Sequence, residues 1–308
     1  MNYRSLGRSV IEVSVVGLGC MSLGLDRSKA EGIIRRALDL GVTLFDTADL
    51  YDKGVNEELV GETLHGIRDK VVIATKVGNR WRPDGSGWDW DPTEKYILQA
   101  VDASLRRLKT DYIDLYQLHG GTMDDPAEET VRAFERLLKN GTIRAWGISS
   151  IRPNVVRRYA AMAESGAAGL STEMVQHSLL DRRPEEEILE TARRAGFGVL
   201  VRGAVAGGLL AGKPPAGKPP ADYLELAASE VQDAQDVLRA ISGSDKEVAQ
   251  TAIRFALSHP AVTAVTAGAS SVAQVEANVA AADAPPLSEA DRRALRAAVR
   301  QLAYASHR

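Results

Sequence analysis

The sequence contains little cysteine, no long apolar run and no strong excess of either charge. Cys20 is the only cysteine among 308 residues, which excludes an internal disulfide framework and any zinc site built from several cysteines. No stretch reaches the roughly 20 consecutive apolar residues of a membrane span, and the first residues hold no apolar segment ahead of a small-residue cleavage site. We therefore expect an unprocessed protein of the reducing cytoplasm, without a membrane segment.

The two signs of charge nearly balance. There are 38 Lys and Arg residues against 41 Asp and Glu, a formal net charge of −3, which gives no electrostatic reason to expect nucleic acid or an anionic membrane as a partner. The histidines lack the spacing of metal ligands, so no metal site is predicted; they are His65, His119, His177, His259 and His307. A small soluble ligand is the expected partner, and the oligomeric state is left open.

Short β-branched apolar runs alternate with stretches of helical periodicity. The runs predict eight strands, at residues 13–16, 43–45, 71–75, 113–118, 143–148, 172–176, 198–201 and 262–266. Helices are predicted at residues 29–40, 93–108, 127–139, 154–163, 185–194 and 246–258. Eight such units favour an α/β fold of the (β/α)8 or TIM-barrel type, in one domain over residues 1–308, with an open doubly wound sheet as the alternative.

Four segments lie outside this alternation. Residues 3–6 and 10–13 flank a turn and predict an N-terminal β-hairpin that closes the barrel bottom, and an additional C-terminal helix is expected after Ala284. Residues 78–91 and 203–244 are predicted to be long loops, a length that indicates function or disorder. The second contains the repeat GKPPAGKPP, which predicts a stiff exposed linker.

Consecutive predicted strands two, three and four are followed by titratable side chains. Asp46 follows the second strand and Tyr51 comes five residues later, whereas Lys76 and His119 end the third and fourth. Each alone has a plainer interpretation, as a helix cap, a packing residue or a solvated charge. Because active sites of barrel enzymes lie at the carboxyl ends of the strands, the four together predict a catalytic site.

These residues resemble the aldo-keto reductases, whose Asp-Thr-Ala, nearby Tyr, strand-terminal Lys and strand-terminal His are all matched. Further matches are Asn56-Glu57, the segments YIDLYQLH at 112–119 and GISS at 147–150, and GASS at 268–271 ahead of Asn278. The resemblance covers nearly the whole chain and extends to bacterial aldo/keto reductases and potassium-channel β subunits. It implies a barrel enzyme that moves a hydride between a nicotinamide cofactor and a carbonyl or alcohol.

The four predicted catalytic residues suit that chemistry. Reducing a carbonyl requires a hydride on carbon and a proton on oxygen, and the phenol of Tyr51 can supply the proton. A nearby ammonium, that of Lys76, is expected to lower the pKa of the phenol. Asp46 would hold Lys76 charged, and His119 would hydrogen-bond the substrate oxygen.

No G-x-G-x-x-G motif follows a first strand that feeds a helix, so a Rossmann-type cofactor site is not expected. The family resemblance instead implies that Ser149, Ser150 and Gln176 hold the nicotinamide amide, with Arg202 where many relatives stack a tyrosine. The pyrophosphate would lie under the loop after the seventh strand. The full predicted cofactor set is Gly19, Met21, Asp46, Ser149, Ser150, Gln176, Arg202, Gly203, Ala204, Gly207, Leu209, Gly212, Lys213, Gly268, Ser270, Gln274 and Asn278.

The form of the cofactor depends on the start of the last barrel helix. Many relatives bind the 2′-phosphate of NADP with a Lys and an Arg, where this chain has Gly268 and Gln274. Ser270, Ser271 and the free amides of the helix can still accept a phosphate, although an N-cap is the plainer role for Ser271. We predict NADPH, with NADH as the alternative.

The loop after Lys76 holds three of the four tryptophans, and aromatic side chains beside a catalytic lysine indicate a substrate wall. The predicted substrate contacts are Tyr51, Trp81, Trp88 and His119. Arg80 and Arg82 favour an anionic or polyhydroxylated substrate, against the plainer interpretation that both are solvated.

Three other functions stay open at this point. An NAD-linked sugar or alcohol dehydrogenase on the same fold would use the same residues in the oxidative direction. A cofactor-binding sensor or regulatory subunit would have little turnover. An isomerase or aldolase would need a Schiff-base lysine or a phosphate site, and Lys76 is the only strand-end candidate.

Overall fold

A computed structural model describes residues 1–212, 222–245 and 247–308. Its strands are β1 (Tyr3–Ser5), β2 (Glu12–Ser14), β3 (Val16–Gly19), β4 (Leu44–Asp46), β5 (Val72–Val77), β6 (Asn79–Trp81), β7 (Trp88–Trp90), β8 (Ile113–Leu118), β9 (Ile143–Ser149), β10 (Leu170–Gln176), β11 (Gly198–Arg202) and β12 (Val262–Gly268). Its α-helices are α1 (Arg27–Asp39), α2 (Val55–Leu64), α3 (Glu94–Leu108), α4 (Ala127–Lys139), α5 (Pro153–Glu164), α6 (Ile188–Arg194), α7 (Ala228–Ser242), α8 (Val248–Leu257), α9 (Val272–Val279) and α10 (Glu289–Ala297).

Eight parallel strands form a closed barrel, which confirms the predicted (β/α)8 fold. Around the barrel the order is β3, β4, β5, β8, β9, β10, β11 and β12, so each strand lies beside its predecessor in the chain. The interior is filled by side chains such as Leu44, Leu115, Met174 and Leu200, all fully buried. The barrel is thus a packed core, and ligands are left with its carboxyl end.

The N-terminal hairpin of β1 and β2 closes the opposite end, as predicted. Leu6 and Ile11 join the interior cluster beside residues that begin barrel strands. Gly7 has φ +54, and a Cβ there would lie 2.2 Å from the Ser171 carbonyl oxygen, so only glycine fits this turn. The predicted first barrel strand at 13–16 was wrong, because it spans the end of β2 and the start of β3. Two glycines inside β3 weaken its strand pattern.

Both segments predicted as long loops contain regular structure. Residues 78–91 include the antiparallel hairpin of β6 and β7, and residues 203–244 include the 15-residue helix α7. Val231, Ala234 and Leu238 of α7 are buried in an apolar cluster with α8 and α10, and this buried face stabilises the helix. Residues 213–220 of the proline-rich repeat lie outside the described residues.

The additional C-terminal helix, α10, is confirmed. Ser288 and Asp291 form a capping box at its start. Arg296 of α10 forms an ion pair of 2.6 Å with the largely buried Glu185, which ties the helix to the barrel. Across the described ranges, no helix is long and apolar enough to cross a membrane.

Candidate active site

A cavity of about 1690 Å³ opens at the carboxyl ends of the barrel strands. Sites for one drug-sized ligand usually measure roughly 300–1,000 Å³, so this volume accommodates two ligands at once. Barrel strands β3, β4, β9, β10, β11 and β12 contribute residues to its wall, as does the loop that follows β8.

A buried ion pair lies beneath the cavity floor. Lys76 on β5 donates from Nζ to both carboxylate oxygens of Asp46 at 2.8 Å and to the Thr47 carbonyl at 2.7 Å, and its side chain is only 1 % exposed. Burial alone would lower the pKa of Lys76, but the Asp46 carboxylate and Tyr51 together more than offset that effect, so the pKa lies above the usual value. Lys76 is therefore a permanent cation that cannot leave its position without exposing a buried carboxylate.

Tyr51 lies above this pair at the cavity wall. Its phenol oxygen is 3.4 Å from Lys76 Nζ. Burial raises the pKa of Tyr51, while Lys76 opposes the rise without cancelling it. The sequence-based expectation of a lowered pKa was wrong in its net direction, because loss of solvent outweighs the nearby ammonium. Tyr51 is therefore a protonated phenol at neutral pH, and any phenolate formed there faces a cation.

The backbone after Tyr51 is unusual. Asp52 and Lys53 have φ angles of 49° and 57°, in the left-handed region that non-glycine residues rarely occupy. Such strain persists where the surrounding structure holds it, often at functional sites. The turn places the phenol over Lys76 instead of letting the chain enter α2 directly.

His119, directly after β8, completes the group. Its ring makes an edge contact with Tyr51 at a centroid distance of 6.0 Å. Burial, followed by the charges of Lys76 and Arg202, lowers the pKa of His119 to about 3, so the imidazole is neutral. Nδ1 is buried and has no hydrogen-bond partner among the described residues. The structure thus brings the four predicted catalytic residues together, with a neutral imidazole beside a neutral phenol.

Four predicted cofactor residues lie at the carboxyl ends of the adjacent strands β9, β10 and β11. Ser149 ends β9 and Ser150 follows it, Gln176 ends β10 and Arg202 ends β11, and all four line the cavity. Arg202 Nη1 donates to Gln176 Oε1 at 2.8 Å, and Gln176 Nε2 donates to Asp181 Oδ2 at 2.9 Å. These bonds fix the amide of Gln176 and hold the guanidinium at the wall.

The other predicted cofactor residues divide into three groups. At the cavity wall are Gly19, Met21, Asp46, Gly203, Gly207, Gly268, Ser270, Gln274 and Asn278. Ala204, Leu209 and Gly212 do not line the cavity: Ala204 is buried in the main core, Leu209 packs on the apolar cluster of α7 and α8, and Gly212 lies against the Asp245 backbone. Lys213 lies outside the described residues.

The cavity extends to the start of α9. Ser271 is the N-cap of this helix, and its hydroxyl accepts a hydrogen bond from the Gln274 backbone amide. The Gln274 side chain turns back and accepts from the Ser270 amide at 2.7 Å and hydroxyl at 3.1 Å. Glu276 is on the same wall and pairs with Arg36 at 2.8 Å.

Two of the three loop tryptophans, Trp88 and Trp90, line the cavity, whereas the predicted pair was Trp81 and Trp88. Trp88 lines it as predicted, whereas Trp81 does not and instead lies under Lys53 Nζ, 5.2 Å from the ring centroid. Trp90 lines it and was missed. The sequence feature that could have indicated Trp90 is Gly78, directly after β5. A Cβ at residue 78 would come within 2.5 Å of the Trp90 ring, so glycine there makes room for the aromatic wall.

The remaining missed residues come mostly from loops whose path the sequence does not reveal, together with Asn79 on β6, Gln250 on α8 and Glu276 on α9. Those at the cavity wall include Leu50, Asn79, Thr122, Ile151, Arg152, Tyr223, Leu224, Gln250 and Glu276. Within the described part of the chain, no group of three or more His, Cys, Asp or Glu residues could hold a metal ion.

The comparison with known proteins agrees with the fold. The profile of the aldo/keto reductase family matches residues 15–300. The chain is 44 % identical over 312 residues to "Uncharacterized oxidoreductase YqkF" of Bacillus subtilis, covering 100 % of both. It is 32 % identical to a "Probable voltage-gated potassium channel subunit beta" of Arabidopsis thaliana, covering 93 % of both. The holo form of aldo-keto reductase AKR11C1 from Bacillus halodurans superposes with a TM-score of 0.91 at 46 % identity, covering 100 % of this chain and 99 % of that one. The chain therefore belongs to the aldo-keto reductase family and is an oxidoreductase.

Proposed function

We propose that this chain reduces aldehydes or ketones to alcohols with NADPH or NADH and that Tyr51 is the general acid. One observation carries the proposal: a buried Lys76 ammonium lies between the Asp46 carboxylate and a protonated phenol at the cavity floor. This arrangement places a proton at the cavity surface and a cation behind it, which is what a carbonyl oxygen that gains negative charge requires.

The cavity fits a nicotinamide dinucleotide together with a small substrate. Ser149, Ser150 and Gln176 present polar side chains near the catalytic group, and the N-terminus of α9 at the far end suits a phosphate. When bound, the cofactor supplies the hydride. Gln176 is held at its oxygen by Arg202, so one orientation of its amide faces the cofactor.

The protein's own residues donate the proton that the carbonyl oxygen receives and stabilise the phenolate that is left. Tyr51 Oη donates its proton to the carbonyl oxygen, and Lys76 stabilises the phenolate that remains. His119 is neutral and can donate a hydrogen bond to the same oxygen, which orients the carbonyl. In oxidation the same phenolate takes the proton back.

The function is tested by titrating the purified chain with NADPH and NADH and then following cofactor absorbance with 4-nitrobenzaldehyde. We expect binding of both cofactors and turnover with at least one. Binding without turnover would favour a dehydrogenase of narrow specificity or a regulatory subunit, the function that the name of the Arabidopsis relative suggests. Absence of binding would contradict the proposal.

We keep NADPH as the proposed cofactor because the Ser270 hydroxyl and the amides that begin α9 can accept a phosphate. NADH is the second candidate, and a specific observation favours it: Gly268 and Gln274 give the wall no cation for a 2′-phosphate, and the Glu276 carboxylate lies on the same wall, paired with Arg36. The relative kcat/KM for the two cofactors decides between them.

Gln274→Arg is expected to raise the ratio of kcat/KM with NADPH to that with NADH by roughly tenfold, since arginine adds a cation where the 2′-phosphate is placed. The ratio is measured with one aldehyde and varied cofactor. Gln301→Arg, an exposed residue outside the cavity wall, is the matched control. An unchanged ratio in Gln274→Arg would show that the phosphate lies elsewhere.

A further inference from the structure

One end of the cavity lies away from α9 and the residues assigned to the cofactor's phosphates, and it begins beside Ser150, whose hydroxyl accepts from the Arg152 amide at 3.2 Å. Its wall consists of Trp90 and the loops after β8 and β9, which contribute residues 120–122 together with Ile151 and Arg152. In the barrel, β5, β8 and β9 are adjacent, whereas α9 follows β12 on the other side. The catalytic phenol lies between, so this end is where the substituents of a substrate would extend.

Arg152 is a cation on this wall without a carboxylate partner in the described structure. Its Nη1 donates to the Gly121 carbonyl at 2.8 Å. Among the described residues, the ion pairs pass from Arg144 to Arg157 along the chain, and none involves Arg152. A guanidinium carries five N–H donors, and this single side-chain bond to a neutral carbonyl leaves most of them unused. The charge of Arg152 is therefore available to a ligand.

The arginines that the sequence singled out do not have this property. Arg80 pairs with Asp91 at 3.0 Å, and Arg82 pairs with Asp89 at 2.7 Å. Neither lines the cavity. Arg202 does line it, but its guanidinium is bonded to Gln176 on the nicotinamide side.

Asp125, an acidic side chain close to Gly121, is already engaged. Asp125 accepts from Trp90 Nε1 at 2.8 Å, from the Thr122 hydroxyl at 2.6 Å and from the Thr122 amide at 2.7 Å. These three bonds use the carboxylate to hold the wall together. Arg152 also immediately precedes the 12-residue helix α5, whose N-terminal dipole adds to the positive potential.

We propose that Arg152 binds an anionic substituent of the substrate, so that the preferred substrate is a carbonyl compound that carries a carboxylate. This inference rests on the proposed reductase function and specifies its substrate class. A planar guanidinium matches a carboxylate through paired N–H donors. Trp90 would pack against the carbon chain between the carbonyl and the carboxylate.

The test compares matched aldehydes: succinic semialdehyde with butanal, and 3- and 4-carboxybenzaldehyde with their uncharged nitro analogues. In each pair the ratio of kcat/KM for the charged over the neutral compound is measured. We expect Arg152→Met to lower this ratio by roughly tenfold or more for at least one pair, mainly through KM, because a charge-assisted contact is lost. Comparing this ratio between the variant and the wild type cancels the difference in intrinsic reactivity between the two compounds of a pair.

Two variants serve as controls. Arg82→Met removes an exposed, paired arginine and is expected to keep the wild-type ratio, and Arg152→Lys is expected to retain part of the preference because it keeps the charge. An unchanged ratio in Arg152→Met for every pair would overturn the inference.

A separate readout distinguishes this inference from the reductase proposal. Binding of 4-(hydroxymethyl)benzoate, measured by calorimetry, should weaken in Arg152→Met to the level of the uncharged benzyl alcohol. If no aldehyde is reduced but this difference is found, the anion site stands and the reductase proposal fails. If aldehydes are reduced and the difference is absent, the reductase proposal stands and the anion site is refuted.

Discussion

Tyr51→Phe is expected to lower kcat for aldehyde reduction by about 10²–10⁴-fold, the usual contribution of a positioned general acid, while leaving cofactor affinity within about twofold. The variant removes a single oxygen, 3.4 Å from Lys76 Nζ, and keeps the ring that contacts His119. Binding should persist because the polar groups assigned to the cofactor lie on other strand ends. Cofactor affinity is measured by fluorescence titration with NADPH, and kcat by steady-state kinetics.

Tyr159→Phe is the matched control, since it removes the same atom from a buried tyrosine that packs against Trp146 and does not line the cavity. It should leave turnover unchanged.

The pH profile of the wild-type enzyme gives an independent test of Tyr51 as the general acid. With the pKa of His119 at about 3 and that of Tyr51 raised, kcat/KM for reduction should be flat from about pH 6 to about pH 9 and fall only as the phenol ionises above about pH 10. Retained turnover in Tyr51→Phe, or an inflection near neutral pH, would show that another group is the acid.

The barrel and the four central residues could be predicted because both depend on local pattern. Eight apolar runs separated by helical stretches leave few topologies, and a strand ends where its apolar run ends. Asp46, Lys76 and His119 sit at such ends, so the fold alone makes them neighbours. The sign of the Tyr51 pKa shift could not be predicted in this way, because it depends on how much solvent the folded loops remove.

The substrate wall could not be read from the sequence because it depends on which face of a hairpin each side chain occupies. In β6 and β7, Asn79 is opposite Trp90, and both face the cavity, whereas Arg80 is opposite Asp89 on the other face. A loop prediction for residues 78–91 gives no such alternation. Arg152 was missed for a related reason: its exposure to the cavity depends on the path of the loop after β9.

Helices α2 and α7 were missed because their apolar patterns are weak or unexpected in position. In α2, Asn56 and Glu57 are fully buried and polar. Glu57 pairs with Arg107 at 2.6 Å and accepts from the Thr75 hydroxyl at 2.6 Å. A helix that buries polar residues against specific partners does not produce an amphipathic stripe, so only the tertiary contacts identify its core face.

Lys76→Met is expected to remove most turnover and also to lower the free energy of unfolding by about 3–5 kcal/mol, the usual cost of leaving one member of a buried ion pair unpaired. Asp46 would lose both of its 2.8 Å bonds, and the Thr47 carbonyl would lose its donor. Burial already raises the pKa of Asp46, and Lys76 opposes that rise. Without the lysine, the folded-state pKa moves further above the unfolded value, so the folded state binds the proton more tightly. The variant should therefore be closer to wild-type stability at pH 5 than at pH 8, as measured by denaturant midpoints.

The double variant Lys76→Met with Asp46→Asn separates folding from catalysis. Replacing the carboxylate with a neutral amide removes the unpaired buried charge, so we expect most of the lost stability to return and its dependence on pH to disappear. Turnover should stay as low as in Lys76→Met, because the phenolate of Tyr51 would still lack its cation. Recovery of turnover together with stability would mean that Lys76 only balances the charge of Asp46. Continued inactivity in a fully folded double variant would establish that the ammonium acts on the proton that Tyr51 transfers.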